Sequence, residues 1–286
     1  MRLLTFRHGG AIRIGVLRTD DEVVELAEPA DMLSLIDAGD AGLDDARDAV
    51  ASRSSKTHRL EDVEVLAPLP APRGNVIAIG RNYQAHAEES ARAAGKAVDP
   101  PTVFTKAVTT VAGPYDDVVI DPGLSTQVDW EVELGVIVGR RMRNVAAGAA
   151  LHHVFGYTVG NDVSARDVQF SESQWTRGKS FDTFCPVGPV VVTPDEIPDP
   201  QALALRTRVN GEVVQDSSTA EMLFGVAELL AFCSRSFTLE PGDLLLTGTP
   251  WGCGYFMDPP RALQVGDVVE CEVEHIGVLR NAVSAR

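Results

Sequence analysis

The sequence predicts an α+β fold in which β structure dominates, on three observations. Beyond residue 74, runs rich in Val and Ile recur, among them NVIAIG, TVFTK, DDVVID, VELGVIVG, VFGYTVG, VGPVVVT, DLLLTGT and DVVECEVEHIGVLRN, with Gly, Pro and Asp between them. The segment RVNGEVV sets Asn-Gly between strand residues, a strong hairpin signal. Helical spacing in this part is confined to QAHAEESARAAG (84–95) and AEMLFGVAELLAFCSRS (220–236).

Taken in order, RLLTFRH, AIRIGVL and EVVEL read as strands around a His-Gly-Gly turn. Met32, Leu33, Leu35 and Ile36 follow with helical spacing, which the glycines after them should break. Three prolines in APLPAPRG (67–74) mark a boundary, giving a small N-terminal α/β domain over 1–67 and a larger domain over 68–286. No internal repeat or low-complexity tract interrupts this order.

A chain of 286 residues buries roughly 75% of its unfolded surface, so a full core is expected. The net charge of −16 opposes adhesion to nucleic acid or anionic membranes and favours small-molecule chemistry. Cys185, Cys233, Cys253 and Cys271 form no C-x-x-C pair and read as reduced thiols. The N-terminus has no uninterrupted apolar run and no stretch reaches the length of a membrane span, so a cytoplasmic location is expected. Of the 25 basic residues only Lys56, Lys96, Lys106 and Lys179 are lysines, which makes each of them worth placing.

Four stretches carry chemistry. In VDWEVELGVIVG, strand alternation puts Glu131 and Glu133 on one face. Two carboxylates about 4 Å apart repel by roughly 4 kcal/mol at an effective dielectric near 20, a cost that a cation, a shared proton or open water must offset. With Asp162 at the end of HVFGYTVGND they make a hard oxygen site suited to Mg²⁺, Mn²⁺ or Ca²⁺; the competing reading is a solvent-facing strand edge. In GRNYQAHAEES, His86 and Glu89 lie three apart on the expected helix, a spacing that lets a carboxylate orient a general base. The GKS of QWTRGKSFDTFCP is no phosphate loop, because Ser173 stands where that motif needs glycine. Lys179 is then a candidate to bind an anion, stabilise an enolate or form a Schiff base. Last, LLLTGTPWGCG makes a tight loop whose amides and Thr249 hydroxyl suit a carboxylate or oxyanion. There is no G-x-G-x-x-G and no G-x-S-x-G, so neither a dinucleotide fold nor a serine nucleophile elbow is supported.

Taken together and in this order, GRNYQAHAEES, PPTVFTK, VDWEVELGVIVGR, GYTVGNDVSARDVQ, RGKSFDTFCPVGP, PGDLLLTGTPWGCG and IGVLRN resemble the fumarylacetoacetate hydrolase family over about residues 70–283. The resemblance implies a mixed β-roll catalytic domain, a homodimer, and Mg²⁺ or Mn²⁺ held by Glu131, Glu133 and Asp162. It implies that His86 and Glu89 activate water, that Lys179 stands near the metal, and that Gln169 and Thr249 contact substrate. Arg81, Tyr83 and Lys106 fall at further pocket positions. The implied reaction is hydrolysis of a C–C bond in an acylpyruvate-like 2,4-dioxo acid, leaving a pyruvate enolate stabilised by metal and Lys179. Decarboxylation of oxaloacetate or isomerisation of a 2-hydroxydienoate fits the same site, and a non-catalytic keto-acid binder is the alternative of another class. Specificity is expected from residues 84–99, Trp175 and Arg177, and Trp251 with Tyr255, Phe256 and Met257.

Overall fold

The computed structural model describes residues 1–84 and 101–286. Residues 85–95 of the helix expected over 84–95, with its His86–Glu89 pair, lie outside the described residues.

The N-terminal strands form where their sequence places them: β1 (Arg2–His8), β2 (Ala11–Leu17) and β3 (Glu22–Glu25). Gly9 and Gly10 join β1 to β2 with φ of 58° and 80°, the left-handed pair that a two-residue hairpin turn needs. Helix α1 (Met32–Ala51) starts at Asp31, whose carboxylate accepts the Ser34 amide at 2.8 Å. The expected break at glycine falls at Gly39, where two helical stretches meet at a kink. Gly39 leaves helical geometry at φ 58°, and the helix resumes because Met32, Leu35, Ile36 and Ala46 bury one side of it. Strands β4 (Thr57–Arg59) and β5 (Glu64–Leu66) complete this part.

Here Glu25 accepts His58 Nε2 at 2.7 Å and pairs with Lys56 at 2.9 Å and Arg13 at 3.2 Å. Burial pushes its carboxyl up, and the hydrogen bonds from Lys56 and His58 outweigh that, holding it below the usual carboxylate range. A carboxyl depressed by folding stabilises above its unfolded pKa and loses that contribution as pH falls through its folded one. Glu25→Gln is therefore expected to flatten the acid limb of stability below about pH 4.3, read from urea unfolding across that range. An unchanged limb would show that other carboxylates set it.

The remaining strands are β6 (Val76–Gly80), β7 (Thr102–Lys106), β8 (Val111–Ala112), β9 (Val118–Ile120), β10 (Val128–Asp129), β11 (Val132–Val138), β12 (Val154–Asn161), β13 (Ser164–Ala165), β14 (Cys185–Val192), β15 (Ala204–Val209), β16 (Glu212–Ser218), β17 (Leu244–Leu246), β18 (Val268–Val273) and β19 (Gly277–Ala285). Between them lie α2 (Arg166–Ser171), α3 (Thr176–Lys179) and α4 (Val226–Ser236). Asn210 and Gly211, at φ 53° and 81°, make the expected hairpin of β15 and β16. Helix α4 starts six residues later than its apolar spacing suggested, because the Glu228 carboxylate accepts the Gly225 amide at 2.9 Å and fixes the start there.

The fold is α+β and mostly β. Its largest sheet runs β4-β3-β2-β1-β14-β12-β11-β17-β6-β7, with β5 beside β1 and β8 beside β14. It crosses the proline boundary, since Arg2 pairs with Val192 and Leu3 with Val191. A second sheet, β16-β15-β18-β19-β9, packs on it, and Leu134, Val136 and Val159 share one core with Leu205, Val269 and Leu279. Ile137, Val191 and Leu246 share a second core with Met32, Leu35 and Ile36 of α1, on the opposite side of the large sheet. Covered on both faces, β11 has every residue buried, which is why it reads as a nearly continuous apolar run.

Candidate active site

The two central strands of the large sheet bring the acids together. Val132 pairs with Asn161 and Glu133 with Gly160, while the Asp162 amide donates to Glu131 O at 2.9 Å and the Glu131 amide donates to Asn161 Oδ1 at 3.0 Å. Carboxylate oxygens of Glu131, Glu133 and Asp162 converge to within 4.8 Å of one another. All three residues are buried, at 5%, 1% and 0% exposure, so the solvent-facing edge is excluded.

Cations offset most of the repulsion. Lys179 Nζ donates to Glu131 Oε2 and Asp162 Oδ2, both at 2.7 Å; Lys106 Nζ donates to Asp162 Oδ1 at 2.5 Å and Val163 O at 3.2 Å. Arg166 reaches Glu131 Oε1 through Nη1 at 2.6 Å and Asp129 Oδ2 through Nε at 2.9 Å. Burial alone would lower Lys179, but Asp162 and Glu131 hold it above its ordinary range, so it is an ammonium. A charged nitrogen donating to two carboxylates is a poor Schiff-base nucleophile and a good electrophilic anchor.

Glu133 is the exception. Its Oε2 accepts the Gly248 amide at 2.7 Å, and no cation bonds to it among the described residues. Burial, then Asp162 and Glu131, push its carboxyl well above the usual range. Among the described residues, four carboxylates (Asp129, Glu131, Glu133, Asp162) thus face three cations (Lys106, Arg166, Lys179). Nearby, Asn161 Nδ2 and Tyr83 Oη are buried with no hydrogen-bond partner among the described residues. An all-oxygen donor set short of positive charge and flanked by unsatisfied polar atoms fits a hard divalent cation, which Glu131, Glu133 and Asp162 would hold. Glu133→Gln is expected to weaken Mn²⁺ binding at least about tenfold, read by titration calorimetry on chelator-treated protein, with unfolding of the metal-free protein no easier than before. Undiminished Mn²⁺ affinity would remove Glu133 from the donor set.

A cavity of about 250 Å³ opens onto this centre. Glu131, Arg166, Lys179, Gln169, Thr249 and Arg81 supply its polar lining, and Ile79, Phe104, Phe170, Trp175, Tyr255 and Phe256 its apolar walls. Trp175 lies against Gly80, with the edge of Phe104 at 5.4 Å and the Arg81 guanidinium 5.6 Å over its ring. Lys106 is wholly buried on Asp162, and Tyr83, also buried, bridges to Met222; neither is among the lining residues. His86 and Glu89, expected to activate water, lie outside the described residues. All four cysteines are buried free thiols.

Residues that the sequence reading passed over hold the rest in place. Asp129 accepts the Gly254 amide at 2.8 Å and the Tyr255 amide at 3.1 Å besides pairing with Arg166, which also donates to Gln169 Oε1 at 3.1 Å. Asn82 bonds the Phe224 and Thr247 carbonyls and the Phe224 amide. The only sequence signals were the acid two places before Glu131 and the arginine three places before Gln169.

A β-rich fold whose central strands focus buried carboxylates, two lysines and an arginine on a small cavity defines an enzyme-type site. The chain belongs to the fumarylacetoacetate hydrolase family: the model "Fumarylacetoacetate (FAA) hydrolase C-terminal" matches residues 75–284, and "Rv2993c-like, N-terminal" matches residues 1–68. It is 44% identical over 257 residues to a mitochondrial oxaloacetate tautomerase of Homo sapiens, covering 89% of this chain and 80% of that protein. Among solved structures, a fumarylacetoacetate hydrolase from Exiguobacterium antarcticum superposes with a TM-score of 0.86 at 40% identity over 100% of both chains. A 2-hydroxyhepta-2,4-diene-1,7-dioate isomerase from Mycobacterium marinum gives 0.79 at 33% identity over 100% of this chain and 99% of that one. No helix among the described residues is long and apolar enough to cross a membrane.

Proposed function

We propose that the chain interconverts the keto and enol forms of a small 2-oxo diacid of the oxaloacetate type. The observation that carries this reading is the Lys179 ammonium, fixed between Glu131 and Asp162 on the wall of the cavity, where it meets the oxygen that gains charge as an enolate forms. Gln169, Thr249 and Arg81 bind the carboxylates and hold the acid in one orientation. His86, with Glu89 three residues on in sequence, is the candidate base that takes the proton from the carbon beside the carbonyl, and the proton it then holds is returned to the enolate oxygen. The aromatic walls exclude water, which this proton transfer does not consume. When bound, Mg²⁺ or Mn²⁺ supplies Lewis-acid polarisation and the positive charge the centre lacks. A cavity of about 250 Å³ lies below the ~300–1,000 Å³ typical of pockets for drug-sized ligands, as suits so small an acid.

The mitochondrial relative's name supports a tautomerase, and the isomerase structure a related proton transfer. Hydrolysis of an acylpyruvate is the second reading, favoured by the His86–Glu89 pair, which suits water activation, with decarboxylation on the same residues. The test is NMR on protein with added Mg²⁺. Acceleration of the enol-to-keto conversion of oxaloacetate, in proportion to enzyme and above background, is expected. Acetate and pyruvate from acetylpyruvate, without that acceleration, would replace the proposal by the hydrolase. Pyruvate and carbon dioxide from oxaloacetate would replace it by the decarboxylase. We carry a homodimer and a cytoplasmic location in the same proposal; sedimentation and cell fractionation test them, the second against relatives named as mitochondrial.

A further inference from the structure

We propose that Gln215 is a positioning residue that aims the Thr249 hydroxyl hydrogen into the cavity, making Thr249 a donor to the carboxylate of a bound 2-oxo acid. The substrate class rests on the function proposed above.

Gln215 is fully buried on β16, and each end of its amide meets a group whose role is fixed. Its Oε1 faces the main-chain amide of Val132 at 3.1 Å, which only donates; its Nε2 faces the Pro250 carbonyl at 3.0 Å, which only accepts. The amide therefore has one orientation. Thr207 Oγ1 adds a second donor to Oε1 at 2.7 Å. Nε2 also donates to Thr249 Oγ1 at 2.9 Å, so that oxygen is an acceptor and its hydrogen must point elsewhere. No acceptor takes it among the described residues, and Thr249, 3% exposed, lines the same cavity as Lys179. The same side chain ties the start of β11, at Val132 between Glu131 and Glu133, to the glycine-rich loop. That loop presses so closely on β16 that a Cβ on Gly252 would lie 2.1 Å from Val214 O.

Substituting glutamate for Gln215 keeps the shape and both donors to Oε1 but replaces Nε2 with an oxygen, so the Thr249 hydroxyl turns back to donate to it. The test is oxalate binding by calorimetry, with KM and kcat for oxaloacetate, on metal-loaded protein. Gln215→Glu and Thr249→Val are each expected to weaken oxalate about tenfold, to raise KM more than they lower kcat, and to lose no more together than singly. Thr249→Ser, which keeps the hydroxyl, is expected to bind as the parent does. Losses that multiply in the double variant would overturn the proposal, as would Thr249→Ser binding as weakly as Thr249→Val, a comparison that holds even if Gln215→Glu fails to fold. A parent protein that does not bind oxalate would also overturn it. Non-additive oxalate binding without tautomerase activity would instead refute the reaction and leave Gln215 in its role.

Discussion

Replacing Lys179 by methionine is expected to lower kcat/KM for oxaloacetate by about 10³-fold or more, because it removes the charged donor from the oxygen that becomes an enolate. The same change leaves Glu131 and Asp162, with oxygens within 4.8 Å, short of a shared cation in a buried site. Removing one partner of a buried pair costs about 3–5 kcal/mol. Lys106→Met separates the two effects: Lys106 also pairs with Asp162 and is wholly buried, but it is not among the residues lining the cavity. Its loss is expected to cost similar stability and far less turnover. Saturating Mn²⁺ should restore much of the stability of either variant, since the cation replaces lost positive charge, without restoring turnover to Lys179→Met. Urea unfolding and steady-state rates on both proteins check this; equal rate losses would assign Lys179 to charge balance alone.

Much of this site was legible because its elements are local. Val- and Ile-rich runs located the strands, and strand parity put Glu131 and Glu133 on one face without any knowledge of their neighbours. The scarcity of lysine drew attention to Lys106 and Lys179 before their ion pairs were visible. What local pattern lacks is what covers a strand. Nothing in VDWEVELGVIVG says whether the glutamates face water or buried partners; that depends on Lys179 and the Gly248 amide, 48 and 115 residues from the glutamates they meet. The pairing of Arg2 with Val192 is equally long-range, which is why a proline cluster at 67–74 could suggest a boundary that the sheet crosses. Gly39 was legible too: glycine takes a positive φ at little cost, and the helical run breaks there at φ 58° before a second stretch follows. Gln215 had no local signature at all. A glutamine in EVVQDSS reads as ordinary strand, and its partners at Val132 and Thr249 are 83 and 34 residues away.

Gly178→Ala is expected to cut turnover about 10²-fold through one methyl group that touches no substrate. A Cβ at Gly178 would stand 2.6 Å from Gln169 N, 2.7 Å from its Cα and 2.9 Å from its Cβ, so α3 and α2 lie against each other only because residue 178 has no side chain. Two of those three atoms are backbone and cannot rotate aside, so one helix must move. Each carries functional groups: α2 begins with Arg166 and holds Gln169, and α3 ends in Lys179. Overpacking of this kind typically costs 1–3 kcal/mol, and a displacement of about 1 Å at a reacting centre is worth about 10²-fold in rate. Gly148→Ala serves as the control, because a Cβ there meets nothing within 4 Å and the site lies on a separate helical turn. Rates and melting temperatures of the two variants decide the matter. Full activity in Gly178→Ala would mean that the bonds of Lys179 to Glu131 and Asp162 hold the ammonium wherever α3 lies, and that the close approach of the two helices serves packing alone.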